Sequence, residues 1–125
     1  MPLTIPALLR QLDTQPEALD FASVIASIDA HYHYTPQTFH NGNGDDCVTS
    51  PAGTNAGSCK VFAFGQLQGL SEAQTLTCFA EHYRKVLATP DDTDHANIRT
   101  FLRHGWAGIR FDGVALEAEA AKNSA

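Results

Sequence analysis

Positive charge is what this chain has least of. Only 8 of 125 residues are lysine or arginine, against 14 aspartates and glutamates, giving a net charge of -6. Proteins that grip phosphate backbones present a basic stripe, and none is legible here. The densest run of cations, Arg99, Arg103 and Arg110, is interrupted by His104 and follows the acidic Asp91, Asp92 and Asp94. Nucleic acid is not an expected partner. Long apolar runs are missing too: nothing approaches the roughly 20 residues of a membrane-spanning helix, so no membrane association is expected. The N-terminus has neither the basic start nor the apolar core of a secretory signal. Cysteine is sparse, with Cys47, Cys59 and Cys78 forming no CxxC pair and no zinc-ligand spacing. An odd number of thiols suits a reducing compartment. The expectation is a cytoplasmic protein with all three cysteines reduced.

What is present suits one small globular domain. The hydrophobic share of 43% and charged share of 18% are ordinary, and the length supports one core without staples. Neither repeats nor low-complexity tracts occur. Ile5, Leu8, Leu9 and Leu12 recur at helical spacing behind Thr4 as a cap. Thr14-Gln15-Pro16-Glu17 has the form of a capping box, and Phe21, Val24, Ile25, Ile28 and Tyr32 make an apolar stripe behind it. Thr35-Pro36 stops that helix. A short strand is expected around Gln37–His40, and Asn41 to Ser58 reads as a long polar loop, either functional or mobile.

Ser58 is a candidate cap for a segment, Cys59 to Leu67, whose period is ambiguous between strand and helix; helix is the preferred assignment. Ser71-Glu72-Ala73-Gln74 is a further capping box, followed by one amphipathic helix through Leu76, Phe79, Ala80, Tyr83 and Leu87. Asp94 is placed to cap a last helix that Gly105 ends, and Ile109-Arg110-Phe111 alternates like an edge strand able to pair near Phe39. The expected fold class is α+β and mainly helical. It has four to five helices and a minor two-stranded sheet in a single domain over residues 1–116. The Ala-rich tail, 117–125, is expected to fray.

Four stretches carry a family resemblance. They are Tyr34-Thr35-Pro36 with Phe39 to Gly42, Ala52-Gly53-Thr54-Asn55 through Gly57-Ser58-Cys59-Lys60, Phe62-Ala63-Phe64, and His95-Ala96-Asn97-Ile98-Arg99 through Gly105-Trp106. In this order they resemble the HopJ family, whose name implies effectors delivered by type III secretion into host cells. The insert Asn43-Gly44-Asp45-Asp46-Cys47 has no counterpart in that resemblance, and the family brings no established chemistry with it.

Chemistry is therefore read from the residues. The stretch Gly53 to Lys60 has two glycines that let a backbone approach a ligand, and helix-start amides suited to an anion. The alternative is a glycine-rich loop that caps only its own helix. It is not a P-loop, since Lys60 precedes Val61. Cys59 is a candidate nucleophile, with His95 or His40 as base and Asn97 or Asn41 as orienter; a buried or capping cysteine is the alternative. Papain-like and caspase-like signatures are absent. His31, His33 and His40 lack a recognised metal spacing, so neither metal nor cofactor is expected. Arg99 and Arg103 beside Trp106 suit carboxylate or phosphate recognition, or internal pairing.

The leading expectation is a non-enzymatic domain binding a small anionic ligand or a protein partner. Its polar site comprises Asn41, Asn55, Ser58, Cys59, Lys60, His95, Asn97 and Arg99. A cysteine-dependent hydrolase or transferase, with Cys59 and His95 as catalytic candidates, and an effector acting on a host protein are the alternatives. The shared-site expectation requires the Gly53–Lys60 stretch to lie beside His95, with Asn55 or Ser58 hydrogen-bonded near the Asp94–Arg99 turn.

Overall fold

Thr4 opens the first helix, α1 (Ile5–Thr14), by accepting the Ala7 amide on its hydroxyl oxygen, with Pro6 in the first turn. The computed structural model describes residues 3–118. Thr14 closes α1 instead of starting the next helix, because its hydroxyl donates back to the Arg10 carbonyl at 2.8 Å. The capping box expected at Thr14–Glu17 is consequently absent. Pro16–Ala18 forms one 3-10 turn before α2 (Phe21–His31), on which Val24 and Ile28 are fully buried. Tyr32 has already left the helix for strand β1 (Tyr32–Tyr34).

The first half of the stretch expected to be a long polar loop is a hairpin, and its last three residues already belong to a helix. Strand β2 (Phe39–Asn43) turns through Gly44-Asp45 into β3 (Asp46–Ser50). The helices continue with α3 (Ala56–Gln68), α4 (Glu72–Thr77), α5 (Glu81–Ala88) and α6 (Ala96–His104). Strands β4 (Ile109–Phe111) and β5 (Leu116–Ala118) follow. The expected pairing of the Phe39 region with Ile109–Phe111 is present, Phe39 lying opposite Phe111, but β2 is central in a three-stranded antiparallel sheet of order β3-β2-β4. A second antiparallel sheet joins β1 to β5. Glu117 and Ala118 are thus paired rather than frayed, and residues 119–125 lie outside the described ones.

Glycine makes the hairpin possible. Gly42 sits at φ 120, and a Cβ there would lie 2.0 Å from the Asp46 carbonyl oxygen. One on Gly108 would meet the Gly42 nitrogen at 2.8 Å. Alternation of apolar side chains, the usual strand signal, is missing because backbone proximity and not side-chain packing shapes this corner. At its tip, Asp46 accepts a two-pronged bond from Arg103 (2.7 and 2.9 Å) and one from His104 (2.7 Å), tying the hairpin to α6.

Helix α3 is the centre of the molecule. Cys59, Val61, Phe62, Ala63, Phe64 and Gly65 are all buried, and five consecutive buried residues, Val61–Gly65, cover every direction around the helix axis and leave no stripe to read. Phe62 meets the rings of Phe39, Phe79, Phe101 and Trp106 at centroid distances of 5.0 to 6.5 Å. The capping box at Ser71 forms in both halves with Gln74. The single amphipathic helix expected to follow is instead two, α4 and α5, separated at Ala80 (φ 55, ψ -122). Gly105 ends α6 at φ 63, as its position implies. The chain is α+β and mainly helical.

Replacing Gly42 by alanine should cost at least about 3 kcal/mol, since both the positive φ and the contact with Asp46 are incompatible with a side chain. Urea unfolding followed by circular dichroism measures this; a midpoint unchanged from wild type would contradict the account of the hairpin.

Candidate functional site

Three helices begin at residues held in positive-φ backbone: Asn55 (φ 50) before α3, Ala80 (φ 55) before α5 and His95 (φ 51) before α6. None has a side-chain cap. These are all the non-glycine positive-φ residues among those described, and their helix starts share one cleft. The cleft, of about 360 Å³, is lined by Asn55, Gly57 and Ser58 from the start of α3, by His82 from α5, and by His95, Ala96, Asn97 and Ile98 from α6. Phe21, Val48 and Phe79 complete the wall. Phe21, the first residue of α2, donates its amide to Glu81 Oε1 at 2.7 Å.

The walls have two characters. Phe21 and Phe79 lie nearly parallel with centroids 6.1 Å apart, and His82 meets Phe21 edge-on at 4.8 Å. Gly57 is in the wall because a Cβ there would stand 2.8 Å from the Phe21 ring. The polar side holds the His82 and His95 rings at 5.0 Å, with Asn55, Ser58 and Asn97. Burial, before any neighbouring charge, pushes the His95 pKa down; Asp94 opposes this, while His82, Lys85 and Arg99 reinforce it.

The expected juxtaposition of Gly53–Lys60 with His95 is therefore present, but only part of the expected set faces the cleft. Asn55, Ser58, His95 and Asn97 line it. Asn55 does not bond the Asp94–Arg99 turn; its Nδ2 donates to Ser50 Oγ at 3.0 Å. Asn41 is fully buried behind Asn97 and donates from Nδ2 to the Asn97 carbonyl at 2.8 Å and to its Oδ1 at 3.0 Å. Arg99 turns inward, bonding the Thr89 carbonyl and hydroxyl and Asp94. That clasp also corrects the expected Asp94 cap: its carboxylate holds Arg99 and Lys85, and its pKa is lowered to about 2 by those two hydrogen bonds.

Lys60 points elsewhere, paired with Asp29 at 2.8 Å over the Tyr34 ring. Cys59 is 0% exposed, with Tyr34 as a neighbour and its amide donating to the Asn55 carbonyl. Helix α3 starts at Ala56, so Ser58 and Cys59 are its third and fourth residues and not its cap. Burial raises the Cys59 pKa despite Lys60 beside it. A buried, protonated thiol away from the cleft is not placed for nucleophilic attack. His40 is occupied by Thr49 and Asp112, and no three His, Cys, Asp or Glu side chains among the described residues gather as metal ligands would.

Sequence reasoning passed over Phe21, Val48, Phe79 and His82. Phe21 and Phe79 have the spacing of ordinary core residues, and Val48 lies inside the stretch read as polar loop. For His82 the signal was faint, since nothing in the sequence marks the break at Ala80 that turns it toward His95.

The profile of the HopJ type III effector protein family matches residues 5–116. The chain belongs to this family. A crystal structure of VPA0580, a protein of unknown function, is similar to this HopJ chain at TM-score 0.88 and 42% identity, covering 95% of this chain and 97% of that one. No curated protein matches it. Among the described residues no helix is long and apolar enough to cross a membrane.

Two outcomes follow from the buried groups. Native protein treated with iodoacetamide should take up one group, at half-buried Cys47, and three only after unfolding, because Cys59 and Cys78 are buried and the Cys78 pKa is pushed up to about 12; mass spectrometry finding Cys59 alkylated in the folded state would refute its inaccessibility. In a proton NMR titration, His95 should titrate below the usual 6.5 and move upward in His82→Ala. A depressed histidine favours the neutral folded form, so its contribution to stability is full above pH 6.5 and declines as pH falls toward the lower folded value. An unshifted His95 would contradict this.

Proposed function

We propose that the domain binds a small anion in the cleft and performs no covalent chemistry on it. One observation carries the reading: the first turns of α3 and α6 open on the same cleft without side-chain caps, while α5 adds the His82 ring, its amide being taken by the Phe79 carbonyl. A helix start exposes unpaired amides and the positive end of the helix dipole, roughly half an elementary charge. Two such ends facing one space make it attractive to negative charge. The lining supports this by what it omits. In a protein of net charge -6, no aspartate or glutamate among the described residues lines the cleft. Glu81, the nearby carboxylate, is turned to the Phe21 amide.

The cysteine-hydrolase alternative has no comparable support, because Cys59 is buried outside the lining. What the domain holds is also a separate matter from where it acts, whether in its own cell or, as the family's name implies, after delivery to another.

Amide NMR titration with acetate, benzoate, sulfate and phosphate tests the reading, with acetamide and benzamide as uncharged counterparts. At least one anion should shift Gly57, Ser58, Ala96 and Asn97 together, while the amides leave them still. Shifts scattered over the surface, or equal for the uncharged compounds, would overturn it. So would turnover of a model ester that disappears in Cys59→Ala.

A further inference from the structure

Asn97 adds an observation independent of the helix ends. It is 6% exposed yet lines the cleft. Asn41 Nδ2 donates both to the Asn97 carbonyl and to its Oδ1. A carbonyl accepts only from a donor, so the Asn41 nitrogen must face Asn97, and the Asn97 side-chain oxygen must then face that nitrogen. Both amides are fixed in orientation. Asn97 Nδ2 is left over: among the described residues it has no protein acceptor, and it belongs to a residue more than nine-tenths buried that lines the cleft, while behind it Asn41 Oδ1 is the atom buried without a partner.

The charge available beside it is limited. No lysine or arginine lines the cleft. Lys60 is committed to Asp29, and Arg99 to Asp94 and Thr89. Phosphate sites commonly recruit guanidinium or ammonium groups to balance a double charge. Neutral N–H donors and helix ends suit a single charge better. The rest of the lining includes the apolar Phe21, Val48, Phe79 and Ile98, and about 360 Å³ lies near the small end of ligand pockets.

We infer that the cleft takes a monocarboxylate on a compact apolar body. One carboxylate oxygen accepts from Asn97 Nδ2, and the body lies against Phe21 and Phe79. The inference rests on the anion-binding reading and names its ligand class. Asn97 acts as a direct ligand contact, and Asn41 as the residue that positions it.

The test is NMR titration of the whole chain with sodium benzoate, inorganic phosphate and benzyl alcohol, following the Gly57, Ser58 and Asn97 amides and the Asn97 side-chain NH2 pair. Benzoate should bind at least about tenfold more tightly than either of the others and should move the NH2 pair. Asn97→Asp keeps an oxygen for Asn41 Nδ2 while replacing the donor by a second oxygen, and should weaken benzoate by at least about tenfold in a protein whose spectrum remains dispersed. Phosphate binding as tightly as benzoate at the same amides would overturn the carboxylate class and leave anion binding standing. Benzyl alcohol matching benzoate, or no anion moving these amides, would overturn both. A benzoate-shifted backbone with a motionless NH2 pair would remove Asn97 from the contact; this arm uses the wild-type protein and stands even if the variant does not fold.

Discussion

The fold depends on hiding the middle of α3 from water. Val61, Phe62 and Phe64 are at 0% exposure, and with Ala63 and Gly65 also buried this stretch has no solvent face, so the other elements must enclose it. Tyr32 packs edge-on against Phe64, while Phe39, Phe79, Phe101 and Trp106 surround Phe62. Each such ring pair adds about 0.5–1.5 kcal/mol beyond the area it buries. Enclosure also fixes direction. Once α2, α5 and α6 are packed in place, first-turn residues of all three meet the start of α3 along one edge, and the cleft is the space they leave.

Much of this was legible wherever a side-chain pattern and a backbone rule agreed. Thr4, the Ser71–Gln74 box and Gly105 mark real helix ends, and the Phe21–Ile28 stripe is a real helix face. Legibility failed where backbone geometry acted alone. The β2–β3 hairpin is made by Gly42 and its near contacts, so a stretch of Asn, Gly and Asp looked like loop. Ala80 breaks a continuous apolar stripe with a conformation alanine does not advertise. The ambiguity of Cys59–Leu67 had a different origin, because the unbroken burial of Val61–Gly65 erases the periodicity that separates helix from strand.

The candidate site divides along the same line. The stretch around Asn55 does lie beside His95, but not through the bond expected to bring it there, since Asn55 pairs with Ser50. Which side chains face inward could not be inferred, because that is decided by competing acceptors: Asp94 and Thr89 claim Arg99, Asp29 claims Lys60, and the core claims Cys59. The groups most conspicuous as chemistry in the sequence are the ones the fold uses for itself. Those left facing the cleft are asparagine, serine and histidine side chains.

The three left-handed helix starts set durability against shape. A residue other than glycine in such backbone costs about 1–3 kcal/mol, and Asn55, Ala80 and His95 all carry it at a single edge. Laboratory selection for heat resistance alone would therefore find its easiest gains here, by glycine substitution or by grafting conventional serine or aspartate caps, before improving an already dense interior. Each graft would also occupy amides that now open on the cleft. A variant hardened in this way would gain heat resistance at the expense of the uncapped helix starts that shape the cleft.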